Sequence, residues 1–512
     1  MVKRKGNTKK DYSLSFFLCF VFALLCQKLI TVEGFHWSVF YMGMLFSFLY
    51  YLLFVLEKKA FTPRSFFYTL LALCFIEATA NMAVTSVPTT NRANYLEGQK
   101  ETATLLSEVK MEDSDFYRVD RADRKTKDDG ALMQYPSASI FSSTAYGKMS
   151  EVYTLLGMEA STNAYAINGA TPLMSSLLSV KYLITKEELK NAEEQGLAYW
   201  TGEGDYRLYE NTQTLPVGFA LSEEELNQWN EKAGTPALVQ NSISESLTGE
   251  NALETILGER EGEDYSFTAD EEGHYFAYVN NTKVEEVKVQ FPEREKSYDH
   301  VDRGYLLDLG YLSAGTEVKL SSKTEGQSMD ATVYRFHYEV LSDFVEALSG
   351  RGFKLGKMNT RTIEGMVQAK EEGKIFFSIP YDPGWKVTVD GNKVEPEAIF
   401  TGFLGVPVSE GQHTVRLQYT PEGWRFGLLL SLTAILFFAA FLLIRKKLGP
   451  APKSLEQRPG AENLRVKIPH DNIPNGRSRK RGHSPYPVKV YTGRLPRGRK
   501  RGLEVEKMDV KE

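Results

Sequence analysis

WRFGLLLSLTAILFFAAFLLI, residues Trp424–Ile444, runs directly into Arg445, Lys446 and Lys447. Arg425 is the one charged side chain within it. About 20 apolar residues suffice to cross a hydrocarbon core of about 30 Å. A helix is the natural form there, because it satisfies its own backbone groups. The stretch therefore predicts a membrane span halted by a cationic triplet. Working back toward the start, Ser13–Ile30, Phe35–Leu56 and Ser65–Val87 have the same character. A cleavable signal peptide competes for the first block, whose start is basic (Lys3, Arg4, Lys5, Lys9, Lys10). That block has no small-x-small cleavage site, and another apolar block follows within a few residues. Four spans are expected.

Lysine and arginine set the orientation, because cytoplasmic loops are enriched in them. The N-terminal cluster marks the inside, Thr31–Gly34 an outer hairpin, and Glu57–Arg64, with Lys58, Lys59 and Arg64, the inside again. Everything from Pro88 to Gly423 is then expected outside the cell, with both termini cytoplasmic. The charge balance follows the same division. The exported stretch carries 32 basic and 55 acidic residues, and the tail from Arg445 carries 19 basic and 7 acidic. A surface that acidic argues against nucleic acid or polyanionic polymers as ligands of most of it. All three cysteines (Cys19, Cys26, Cys74) lie in the spans. The exported domain therefore folds without disulfides, as is ordinary in many bacteria, and has no thiolate metal site.

The fold class expected is a four-span α-helical membrane protein with a large extracytoplasmic α+β domain containing β-sandwich-like modules, and a disordered basic tail. The expected division is 1–87 for three spans, 88–260 for a mixed α/β region, 261–422 for the β-sandwich-like region, 423–444 for the last span and 445–512 for the tail. Asn91–Lys110 reads as a polar helical connector. From about Tyr265 the rhythm becomes period two, as in half-buried strands: His274–Val279, Val284–Phe291, Ala331–Val340, Lys374–Ile379, Trp385–Val389 and His413–Tyr419. A helix is expected at Leu341–Ser349, ended by Gly350. Asp390-Gly391 between two strands signals a hairpin. The tail, rich in Pro, Gly and Arg, buries too little surface to fold. Its Arg477–Arg481 and Arg497–Arg501 patches suit anionic lipid or nucleic acid, or serve as solvated charge that fixes topology.

Several segments resemble the YfhO-like bacterial membrane proteins: FYRVD (Phe116–Asp120), FSSTAY (Phe141–Tyr146), SSLLSVKYLIT (Ser175–Thr185), LYENTQTLPVGFA (Leu208–Ala220), IPYDPGWKVTVDGNKVEPEAIFTGFLG (Ile379–Gly405) and SEGQHTVRLQYTPEGWRFGLLLS (Ser409–Ser431). The resemblance covers roughly Ser65 to Leu448. It implies a fold similar to the GT-C glycosyltransferases, with sugar moved from a polyprenyl phosphate to a surface polymer such as teichoic acid. In that pattern the catalytic carboxylate lies in the first outer loop. Here that loop is Thr31–Gly34, four residues long, too short for a site. The chain looks like the C-terminal portion of such a protein, so no catalytic residue is carried over. A separate polytopic N-terminal partner is expected to supply the catalytic part. The alternative is a non-catalytic envelope protein whose outer domain binds glycan or protein partners.

Candidate sites follow from residue type and place. Glu77 lies near mid-depth of the third span, with Asn81 one turn later on the same face. A carboxylate there is expensive and faces a bundle interior or an aqueous cavity. It suits a lipid-phosphate sugar contact or proton handling, and equally a hydrogen bond that ties helices together. Glu33, in the short hairpin, reads as an interfacial charge. Tyr381 and Trp385 offer aromatic faces for sugar stacking, yet Trp385 shares a strand face with Val387 and Val389, which suits a core tryptophan. Ser142, Ser143 and Thr144 suit a sugar-binding loop or plain turn and capping roles. The histidines, among them His274, His300, His337 and His413, show no metal-ligand spacing. There is no phosphate loop, GxSxG elbow or Cys–His pair, so no cofactor or metal is expected beyond the lipid-linked sugar as donor.

Overall fold

The computed structural model describes residues 16–22, 25, 37–86, 92–112 and 116–448. Among them three helices are long and apolar enough to span a membrane: Trp37–Ala60, Pro63–Ser86 and Trp424–Leu448. Thr62 starts the second of these, its Oγ1 accepting from Ser65 N at 3.2 Å, with Pro63 in the first helical position. Arg445, Lys446 and Lys447 occupy the last turn of the third, where cations suit the negative helix end. Of the expected span Ser13–Ile30, residues 16–22 and 25 are helical, and the remainder lies outside the described residues, as does the tail from residue 449.

The connector forms two helices, Arg92–Leu96 and Gln99–Glu112, joined at Gly98 with φ 76°. A Cβ at Gly98 would lie 2.4 Å from both Arg121 Nη2 and the Tyr206 hydroxyl, so only glycine fits. The longer helix covers a four-stranded sheet ordered Arg118–Arg121, Val180–Thr185, Tyr206–Asn211, Leu197–Glu203, whose first pair is parallel. Leu105, Leu106 and Val109 pack there on Val119, Ile184 and Leu208. This is the α/β module.

Two β-sandwiches follow. In the first, one sheet is ordered Leu307–Leu312, Gly273–Val279, Ala331–Phe336, Leu253–Ile256. The facing sheet is ordered Glu259–Glu261, Asp264–Thr268, Glu317–Ser322, Glu286–Gln290, Glu295–Asp299. Strand alternation divides the side chains: Tyr275, Ala277 and Val279 enter the sandwich core, and Phe276 faces the opposite way. The period-two pattern extends through Val340 in sequence, but the strand ends at Phe336 and a helix, Tyr338–Ala347, begins almost at once. Val340, Leu341 and Phe344 are its buried residues, at helical spacing, so the helical period prevails over the alternation.

The second sandwich pairs Lys354–Asn359, Thr362–Ala369, Gly411–Tyr419, Trp385–Val389 and Asn392–Val394 against Glu397–Ile399, Phe403–Val408, Gly373–Pro380 and Gly218–Ser222. Asp390 (φ 52°) and Gly391 (φ 80°) both adopt the left-handed conformation that a tight two-residue hairpin requires. The strand Gly218–Ser222 comes from upstream of the whole first sandwich, and pairs Phe219 with Phe376. Helices Gly147–Leu155, Pro172–Leu177, Pro236–Thr248 and Tyr338–Ala347 share one core with Phe276 and Phe336 of the first sandwich and Phe219, Phe376 and Phe403 of the second. One continuous apolar layer thus joins the two sandwiches.

Candidate functional site

FYRVD and the residue after it supply two buried arginines, Arg118 and Arg121. Arg121 is fully buried, and makes a two-point contact with Asp123 (2.8 and 2.9 Å) while donating to the Tyr206 hydroxyl at 2.8 Å. Arg118 is buried with no carboxylate among its bonded partners. Its Nη1 donates to Leu178 O at 2.6 Å and Ser378 Oγ at 3.1 Å, and its Nη2 to Ser378 O at 2.7 Å. Burial pulls this guanidinium below its ordinary pKa. Arg118 therefore ties the α/β module to the second sandwich, three residues before Tyr381.

That corner gathers several of the candidate residues. Burial, then Tyr381 and Asp382, push up the phenol of Tyr146, the last residue of FSSTAY, so two segments far apart in sequence meet there. Trp385 is half-buried against the second core, donates Nε1–H to Pro380 O at 3.1 Å and has its ring 5.1 Å from that of Tyr419. Nearby, Phe400 (φ 41°) and Thr401 (φ 59°, ψ −43°) hold left-handed conformations that side chains disfavour. Gly402 O accepts from Tyr381 N at 2.8 Å, and Thr401 Oγ1 donates to Glu231. Ser142 and Thr144 form a surface turn, with Thr144 N donating to Ser142 Oγ at 3.2 Å and the two hydroxyls 3.0 Å apart. Ser143 is exposed beside them. Phe141 lines a hollow of about 720 Å³ together with Tyr95, Leu132, Lys127 and Arg303.

In the candidate spans, the Tyr50 hydroxyl reaches Glu77 Oε2 at 2.5 Å and Cys74 Sγ at 3.4 Å, linking the helices Trp37–Ala60 and Pro63–Ser86. Asn81 lies one turn beyond Glu77 on the same helix.

A larger feature, lined in part by motif residues such as Asp120, Tyr182 and Asn211, lies between the α/β module and the first sandwich: a cleft of about 1430 Å³. One wall carries the hydrogen-bonded set His274, Asp308 and Tyr338. His274 shares a strand face with Phe276, and their rings stack 4.7 Å apart at 8°. On the neighbouring strand a β-bulge pairs Tyr275 with Gly310 but Phe276 with Asp308, which turns Asp308 toward His274. Gly310, at φ 84°, makes the bulge possible, and its N–H donates to Asp308 Oδ1 at 2.9 Å. Asp308 Oδ1 lies 2.6 Å from His274 Nε2, and the Tyr338 hydroxyl 3.0 Å from Nδ1. Burial raises the Asp308 carboxyl pKa, yet His274, Lys296 and Gly310 together hold it below the usual range. With Asp308 ionised, Nε2 carries the imidazole proton and Nδ1 accepts from Tyr338. Both ring nitrogens are thus committed, at a wall of the cleft that Asp308 and Tyr338 also line.

The cleft is braced at both ends. At one, buried Glu159 binds Lys127 (2.8 Å) and Arg303 of the first sandwich, and Leu306 N donates to Gly157 O at 2.8 Å. Burial raises the Glu159 pKa, but the two cations prevail and hold it low. At the other end, Asn191 Nδ2 donates to Glu272 at 2.7 Å and the Tyr311 hydroxyl to Glu194 at 2.5 Å. A braced cavity with donors, acceptors and aromatic edges suits a polyhydroxyl ligand, and no group of three or more His, Cys, Asp or Glu among the described residues is placed to hold a metal.

A profile of the bacterial membrane protein YfhO matches residues 2–265 and 260–431. The chain belongs to the YfhO family. It is 21% identical over 400 residues to YfhO of Bacillus subtilis (strain 168), which covers 68% of this chain and 46% of that relative, so the chain spans about half of the relative's length. Solved structures of the mycobacterial arabinofuranosyltransferase AftD also match. One has a TM-score of 0.16 at 12% identity, covering 32% of this chain and 14% of AftD. A second has a TM-score of 0.15 at 8% identity, covering 37% and 23%. At such TM-scores the likeness carries no argument about fold or chemistry. The cleft residues His274, Asp308 and Tyr338 lie outside the motif segments. Sequence reasoning passed over them because no spacing rule links residues 34 and 64 positions apart. An Asp-Leu-Gly bulge signal at Asp308–Gly310 was the one available clue.

Proposed function

We propose that this membrane protein serves cell-envelope glycosylation, in which sugar passes from a polyprenyl phosphate to a surface polymer such as teichoic acid. Its sheet-rich domain lies outside the cell and holds the acceptor. The observation that carries this reading is the braced cleft of about 1430 Å³ in a YfhO-family chain. Cationic clusters on one side of every expected span support the orientation, and leave the acidic domain facing out. The test is to delete the gene and measure sugar on the surface polymer. Loss on deletion, restored by the intact gene, is expected, and unchanged glycosylation would sink the proposal.

One observation favours a second reading, a non-catalytic envelope protein that binds glycan. Both nitrogens of His274 are engaged, so the cleft's hydrogen-bonded wall orients a ligand rather than moving a proton. Glycan binding by the purified chain, combined with unaltered polymer glycosylation on deletion, would select this reading.

A further inference from the structure

The connector helix Arg92–Leu96 has no buried residue, although it carries Tyr95 and Leu96, 45% and 38% exposed. So short a helix draws its stability from packing, and the protein provides little there. Tyr95 lines the hollow of about 720 Å³ together with Phe141, itself 56% exposed, and Ala131, Leu132 and Ala164 add further apolar wall. Most of the polar lining is already bonded within the protein. Lys127 and Arg303 share Glu159, Thr126 Oγ1 donates to Asp129 at 3.0 Å, and Asp128 Oδ1 accepts from Phe141 N at 2.8 Å. The two cations against Glu159 and Asp128 leave no net charge there. An ionic ligand finds few free partners in this hollow, and apolar surface is what remains. Other exposed large apolar side chains of the domain, such as Leu238 and Leu257, line neither this hollow nor the cleft.

Chain continuity identifies what covers this surface. The apolar helix Pro63–Ser86 ends six residues before Arg92, and six residues reach at most about 20 Å. Tyr95 lies one helical turn further, about 5 Å. A headgroup layer about 5–8 Å deep flanks the hydrocarbon core on each side, and tyrosine is enriched in it. We propose that the hollow and the helix Arg92–Leu96 form the domain's seat on the bilayer, with Tyr95, Leu96 and Phe141 entering the headgroup layer beside Pro63–Ser86. The partner is the lipid surface, held by apolar contact rather than by charge. The inference requires only that Pro63–Ser86 crosses the membrane, and is independent of the glycan reading. Glu159, bound to two residues that line the hollow, also braces one end of the large cleft. A domain seated this way turns that end of the cleft toward the bilayer.

The test places photo-reactive benzoylphenylalanine in the full chain at Tyr95, Phe141 or Leu257 in turn, and reconstitutes each protein in phosphatidylcholine vesicles. Leu257, in the first sandwich and 91% exposed, is the control. After irradiation, lipid adducts are expected at positions 95 and 141, with only background at 257. The double variant Leu96→Ser/Phe141→Ser alters two exposed side chains and should leave the melting temperature unchanged. It should lower the lipid adduct from position 95 by at least about threefold, because two large apolar contacts with the lipid are lost. Background alone at 95 and 141, an equal yield at 257, or a yield indifferent to the double variant would overturn the inference. Adducts to a second copy of the chain in place of lipid would also overturn it, and would mark the hollow as a contact between copies.

Discussion

Arg118 Nη2 lies 2.7 Å from the carbonyl oxygen of Ser378, joining residues 260 positions apart without a counter-ion. A buried guanidinium held by neutral oxygens gives up its hydration for directed bonds, so each bond matters. Arg118→Ala would strand Leu178 O and Ser378 O. A loss of about 2–4 kcal/mol in unfolding free energy is expected, given that each unsatisfied buried group costs about 1–3 kcal/mol. Arg118→Lys should recover less than half, since one ammonium cannot span both carbonyls in a planar fork. Chemical denaturation of the purified chain is the measurement.

The pH response of the first sandwich follows from Asp308. Its folded-state pKa is depressed, so its contribution to stability is fully present above the unfolded value of about 3.9 and is lost as pH falls through the lower folded value. Stability should therefore decline below about pH 4. In Asp308→Asn that acid limb should flatten. Melting temperature measured from pH 3 to pH 7 checks this, and an unchanged acid limb in the variant would contradict it.

Gly98→Ala tests the junction between the connector and the α/β module. The added methyl meets Arg121 Nη2 and the Tyr206 hydroxyl at 2.4 Å in a conformation that L side chains avoid. Left-handed backbone alone costs about 1–2 kcal/mol, and displacing the Arg121–Tyr206 contact adds to it. The variant should melt well below the wild type, whereas Gly147→Ala, with open space around it and an ordinary φ, should lose much less.

For the candidate spans, a double-mutant cycle of Tyr50→Phe and Glu77→Gln should return a coupling of about 0.6–1.7 kcal/mol in the bilayer or its detergent mimic. Zero coupling in SDS-unfolding measurements would mean that the bond does not hold these helices together.

Trp385→Ala should destabilise the second sandwich by about 2–3 kcal/mol, less than the cost of a fully buried aromatic. Trp385→Phe should lose under half of that. Glycan binding at the cleft should be untouched in both, because Trp385 packs on Tyr419 and the second core.

The elements most legible in the sequence are those whose cause is local. Asp390-Gly391 announces its hairpin, and the apolar runs announce helices, because a few adjacent residues dictate each. Ala331–Val340 misleads at its end: Tyr338 and Val340 continue the alternation on paper, yet Val340, Leu341 and Phe344 have a helical stripe to bury. The cleft was illegible. Asp308 faces His274 only because a one-residue bulge at Gly310 shifts the strand register, and Tyr338 arrives from the first turn of a different element. Arg118 was visible within FYRVD, but its partner Ser378 was not, since nothing local links a strand near the start of the domain to one near its end.

Gly218–Ser222 completes the sheet of Gly373–Pro380, and the whole first sandwich is threaded between them. A chain emerging residue by residue must therefore hold this strand unpaired while more than a hundred later residues are made. A fragment started after Ser222 would leave the flank of Gly373–Pro380 open to self-association. Any excised version of the second sandwich should carry the early strand with it, spliced through a short linker if need be, in order to stay monomeric.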